Sequence, residues 1–97
     1  MTDTQLTDPH RKQLLYRAMH RGFKEADIVI GRFAKQNLAT MTDAQVREFE
    51  GLLDVPDQDL YAWIIGRVPV PANFEGEVMT MLQAFPVADS IAAESQS

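Results

Sequence analysis

The side chains best able to do chemistry in this chain are its two histidines and its acidic pairs, and neither set is spaced for catalysis. His10 and His20 lie ten positions apart, whereas two imidazoles on one helix share a metal ion at i, i+4. Asp57 and Asp59 fall at the start of a predicted helix, where the macrodipole favours negative charge, so they read as capping residues and not as an acid–base pair. No GxSxG, P-loop or GxGxxG run occurs. The absence of cysteine excludes a thiolate metal site, a cysteine nucleophile and a disulfide framework together. The expectation is a protein that is not an enzyme.

Two denser constellations remain. Arg17, Arg21 and Lys24 stand at i, i+4, i+7 with His20 among them; on one unbroken helix they would form a basic ridge of the helix–turn–helix kind. A pI near 4.8 and a net charge of −5 weigh against nucleic acid, because phosphate binding needs clustered cations that an acidic remainder does not repel. The second constellation is Arg21-Gly22-Phe23-Lys24-Glu25. Locally, Gly22 would turn the chain and cap the following helix. Glu25 would then be N3, reaching back to the cap amide, while Arg21 held the last carbonyls of the preceding helix.

Five helices must position these residues, and the pattern shows no strand. The first opens at Asp8-Pro9, an N-cap residue with proline at N1, and stops before Gly22. The second spans about Phe23 to Ala39, its stripe formed by Phe23, Ala26, Ile30, Phe33 and Ala34. The third begins with the capping box Thr42-Asp43-Ala44-Gln45 and buries Val46, Phe49, Leu52 and Leu53. The fourth opens at Pro56 or Asp57 and closes at Gly66, a left-handed C′ residue. Leu60, Tyr61, Trp63, Ile64 and Ile65 crowd within it, and core packing is the expected role of Tyr61 and Trp63. Pro69-Val70-Pro71 is extended. The fifth helix runs from about Phe74 to Phe85, and Pro86 ends it.

Ninety-seven residues with 45% apolar and 24% charged side chains make one globular domain, an all-α compact five-helix bundle. The bundle is expected over about residues 8–86, with a flexible N-terminus 1–7 and a frayed tail 87–97. Residues 1–40 hold seven Lys/Arg against four acids, and residues 41–97 hold two against ten. Such a polarised surface suits docking on a macromolecule. No apolar run is long enough to span a membrane, no signal peptide is evident, and a cytoplasmic location is the expectation.

His20-Arg21-Gly22-Phe23-Lys24-Glu25, followed by Asp27 and Phe33-Ala34, resembles the RGxxE region of the small FAD assembly factors of succinate dehydrogenase. This is the SdhE family, whose mitochondrial relatives are called succinate dehydrogenase assembly factor 2. Leu38 with Met41-Thr42, Phe49-Glu50-Gly51-Leu52-Leu53 and Asp57-Gln58-Asp59-Leu60-Tyr61-Ala62-Trp63 resemble later family segments in order and spacing. The likeness covers about residues 11–85. One departure is Arg32-Phe33, where many bacterial members have proline before the phenylalanine.

The resemblance implies a five-helix bundle that binds the flavoprotein subunit of succinate dehydrogenase, and in some bacteria that of fumarate reductase. It implies a chaperone-like assembly factor that promotes covalent attachment of FAD to a histidine of that subunit. The chain would be a monomer that binds no cofactor tightly and acts on FAD held by the partner. The motif falls on Arg21, Gly22 and Glu25, with Phe23 and Lys24 at its variable positions and Arg17 and His20 flanking the docking surface.

Overall fold

The computed structural model describes residues 8–86. Five α-helices follow one another: α1 (Pro9–Met19), α2 (Lys24–Asn37), α3 (Asp43–Leu53), α4 (Asp57–Ile64) and α5 (Glu77–Ala84). Short 3-10 turns occupy Leu38–Thr40 and Ala72–Phe74, and there is no strand among the described residues. The fold is the all-α five-helix bundle expected. The segments expected to be flexible, 1–7 and 87–97, lie outside the described residues.

Three helix ends are set by chemistry legible in the sequence. The Asp8 carboxylate accepts the amide of His10 at 2.9 Å ahead of Pro9. Thr42 Oγ1 accepts the Gln45 amide at 3.1 Å while Gln45 Oε1 accepts the Thr42 amide at 2.9 Å, a complete capping box. At the end of α4, Gly66 adopts φ +79°, the one left-handed value among the described residues. The Arg67 amide then reaches the Ala62 carbonyl at 2.9 Å, and the Gly66 amide reaches that of Trp63 at 3.2 Å. That pair of bonds is a Schellman closure.

Two boundaries differ from expectation. The regular part of α2 ends at Asn37, and Leu38–Thr40 tighten into a 3-10 turn. α5 begins at Glu77, three residues after Phe74. Gly76 is its N-cap, and a carboxylate from α3 serves its first turn: Glu48 Oε2 accepts the amides of Val78 at 2.8 Å and Met79 at 3.2 Å. A cap supplied from another helix leaves no local signature, so the hydrophobic stripe alone places the start too early.

Every helix contributes to one core, in which Leu14, Ala18, Val29, Ile30, Phe33, Val46, Phe49, Leu60, Val78 and Leu82 are buried. Phe33 lies at its centre, 5.8 Å from the ring of Phe49 and edge-on to Phe85 at 5.7 Å. Trp63 is buried against Phe74, ring centroids 5.2 Å apart. α1 packs chiefly on α2, while α4 closes the bundle against α3 and α5. The N-terminus of α4 consequently lies beside the turn between α1 and α2.

Candidate functional site

That turn holds the densest polar network of the described residues. α1 ends at Met19, and His20 follows as its C-cap, out of helical geometry at φ −127° and ψ 64°. Its Nδ1 lies 2.8 Å from the Tyr16 carbonyl, and its ring stacks on Tyr16 with centroids 4.0 Å apart. Both rings face solvent, Tyr16 being 64% exposed.

Arg21 turns inward. Only 8% of its side chain is accessible, against 23% for its partner Asp57 at the start of α4. Nε and Nη2 of Arg21 reach Asp57 Oδ1 at 2.7 and 2.6 Å. Nη2 also donates to the carbonyls of Leu53 at 2.9 Å and Val55 at 3.3 Å, at the end of α3. The other oxygen of Asp57, Oδ2, accepts the Gly22 amide. The Arg21 amide donates to Asp27 on α2. Two carboxylates from different helices therefore hold two consecutive backbone amides. A bond to an ionised acceptor is roughly twice as strong as a neutral one.

At Gly22 a side chain would crowd the Asp57 carboxylate. A Cβ at this position would stand 2.5 Å from Asp57 Oδ2, inside any real contact distance. Phe23 is the N-cap of α2 in extended geometry, and its half-buried ring meets Tyr61 of α4 edge-on at 5.3 Å. Lys24 and Glu25 are exposed on the first turn of α2, and no ion pair among the described residues holds Glu25. The Tyr61 phenol titrates above its ordinary value, first because it is partly buried and then because the Glu25 carboxylate is near; Arg67 opposes the shift.

Several local expectations are corrected by this geometry. The N-cap of α2 is Phe23 and not Gly22, so Glu25 is N2 and does not reach back to a cap amide; Asp57 takes the Gly22 amide instead. Arg21 binds the carbonyls of α3, not those of α1. Asp57 and Asp59 do lie in the first turn of α4, as expected of helix-start acids, but Asp57 makes no cap bond there, the N-cap being Pro56. The basic ridge does not form. α1 ends before Lys24 begins α2, Arg21 is enclosed, and Arg17 pairs with Asp54 at 2.7 Å. The structure thus gathers His20, Arg21, Gly22, Phe23, Lys24 and Glu25 at one turn and leaves Arg17 one turn back along α1. It adds Asp27, Asp57 and Tyr61 to the site; the sequence signal of Asp27 is its place just after the motif, and that of Asp57 and Tyr61 is the Asp57–Trp63 stretch.

Among the described residues no group of three or more His, Asp or Glu is placed to hold a metal ion. What the turn can do is present a fixed edge: the exposed Gly22 backbone flanked by the Phe23 and Tyr61 rings and by the exposed Lys24 and Glu25.

Residues 12–86 match the family model described as flavinator of succinate dehydrogenase. The chain belongs to the succinate dehydrogenase flavinator family. Similar relatives include succinate dehydrogenase assembly factor 2, mitochondrial, of Dictyostelium discoideum, 41% identical over 75% of this chain and 52% of that protein. The protein of the same name from Danio rerio is 41% identical over 80% of this chain and 51% of its own length. The FAD assembly factor SdhE of Acetobacter pasteurianus is 44% identical over 63% and 56% respectively. The chain spans about half the length of the curated relatives it matches. The family match includes every residue of the turn and both of its carboxylate partners.

Proposed function

We propose that this flavinator-family chain binds the flavoprotein subunit of succinate dehydrogenase and promotes the covalent attachment of FAD to it. The observation that carries the reading is the family match across residues 12–86, which includes the whole clamped turn from His20 to Asp27. The chain acts as an assembly factor and not as a catalyst, because its contribution is positional. Docking holds the flavoprotein in a conformation where its acceptor histidine meets the flavin, and orientation alone can accelerate such a step by orders of magnitude. FAD stays with the partner throughout. The assembly factor works as a monomer in the cytoplasm. No helix among the described residues is long and apolar enough to cross a membrane. In organisms that have one, the fumarate reductase flavoprotein is a second client.

Co-expression with the cognate flavoprotein subunit tests this directly. After denaturing electrophoresis, in-gel flavin fluorescence should rise well above that of a strain lacking this chain. Equal fluorescence in both strains would refute the reading. Repeating the assay with the fumarate reductase subunit decides the wider client range, and sedimentation of the isolated chain decides its oligomeric state.

A further inference from the structure

We infer that Asp57 is a positioning residue for partner recognition, and that Arg21 faces Asp57 and not the partner. The inference rests on the flavinylation role proposed above and assigns its parts. Asp57 stands 36 residues from Arg21, on another helix, yet both of its oxygens are committed to the turn. Oδ1 receives two guanidinium nitrogens and Oδ2 receives the Gly22 amide. All the groups facing this carboxylate from the turn are donors. Only an ionised acid satisfies them; an asparagine must turn its NH2 towards either Arg21 or the Gly22 amide, donor against donor. Nε and Nη2 of the guanidinium are committed to Asp57 and to the carbonyls of Leu53 and Val55, and the side chain is 8% exposed. The outward edge of the turn is therefore Gly22, the Phe23–Tyr61 pair and Glu25. Asp57 and Arg21 fix the angle at which that edge is offered.

The test compares the wild type with Asp57→Asn, with the double variant Arg21→Gln/Asp57→Asn, and with Glu48→Ala. The last removes a cross-helix carboxylate that serves the start of α5 and not the turn, and controls for general loss of stability. Three readouts are taken: thermal melting, hydrogen exchange of the Arg21 and Gly22 amides by NMR, and the concentration of assembly factor giving half-maximal flavinylation. Asp57→Asn should raise that concentration roughly tenfold or more and unprotect the Gly22 amide. Glu48→Ala, even at equal or lower melting temperature, should leave both near wild type. In the double variant the introduced glutamine can accept from the NH2 of the introduced asparagine, whose own oxygen then accepts the Gly22 amide. Protection and flavinylation should therefore recover together.

Wild-type flavinylation by a folded Asp57→Asn overturns the inference. A double variant that regains Gly22 protection but stays inactive also overturns it, because Arg21 would then contact the partner itself. Failure of the wild type to promote flavinylation sinks the functional reading instead, and is distinguished by that control alone.

Discussion

Two turns in this molecule are closed in the same way, at Gly22 and at Gly76, and only the first lies in the motif. At each, a carboxylate from a separate helix fills the space that a Cβ would take, 2.5 Å from it in both cases. At each, that carboxylate accepts backbone N–H: the glycine's own amide at Gly22, and those of Val78 and Met79 after Gly76. The details then part. Glu48 uses a single oxygen, Oε2, for both Val78 and Met79, whereas Asp57 divides its two oxygens between a guanidinium and an amide. A clamped glycine is thus an ordinary way of starting a helix in this bundle. What sets the motif turn apart is the enclosed arginine and the exposed edge of Phe23, Glu25 and Tyr61.

Substituting the two glycines separates the turns most sharply. Gly22→Arg should abolish flavinylation, since any side chain evicts Asp57 and frees Arg21; the expected stability loss is about 3 kcal/mol, the lower end for a broken buried pair. Gly76→Ala should cost about 1–2 kcal/mol by displacing Glu48, with flavinylation retained once the protein is folded. Urea denaturation beside in-gel flavin fluorescence checks both; retained activity in folded Gly22→Arg would erase the distinction.

Amide substitutions of the carboxylates come next in size. Asp57→Asn should destabilise by about 2 kcal/mol, less than a fully buried pair because Asp57 is partly accessible. Glu48→Gln should cost under about 1 kcal/mol, because its amide oxygen can still serve both backbone donors. Equal losses on chemical denaturation would show that the divided use of Asp57 has no energetic consequence.

Glu25→Gln probes the outward edge without touching the clamp. It should leave the melting temperature nearly unchanged, as an exposed side chain does, while lowering flavinylation. It should also lower the Tyr61 pKa towards its ordinary value, because the neighbouring carboxylate helps to raise it. With Tyr16 changed to Phe, Tyr61 is the one tyrosine left, and tyrosinate absorbance follows it alone. The sign of the linkage is set by the neutral phenol being favoured in the native state. The unfolded chain releases this proton first, so stability falls as pH rises past about 10, and Tyr61→Phe should flatten that loss.

How far the site is legible follows from the range over which each signal acts. Asp8-Pro9, the Thr42–Gln45 box and Gly66 are read correctly because cap and helix are adjacent in the chain. The start of α5 and the cap of α2 are misplaced because their stabilising groups, Glu48 and Asp57, come from other helices. The motif's position is visible in the sequence, but the inward direction of Arg21 is not. A basic residue beside a glycine looks the same in sequence whether it faces a partner or an enclosed acid 36 positions away. Asp57 itself reads as a helix-start acid, and only the packing of α4 against the turn shows what it holds.

The enclosure of Arg21 has a consequence for how the two proteins would meet. In the sequence the N-terminal half is the basic one, and long-range attraction to an acidic partner is the natural expectation. Folded, Arg21 is neutralised by Asp57 and Arg17 by Asp54, leaving Lys24 and Glu25 as adjacent opposite charges at the edge. Such a face steers little. Encounter should therefore proceed at the unassisted diffusional rate, and raising the salt from low to physiological ionic strength should change association by less than about threefold.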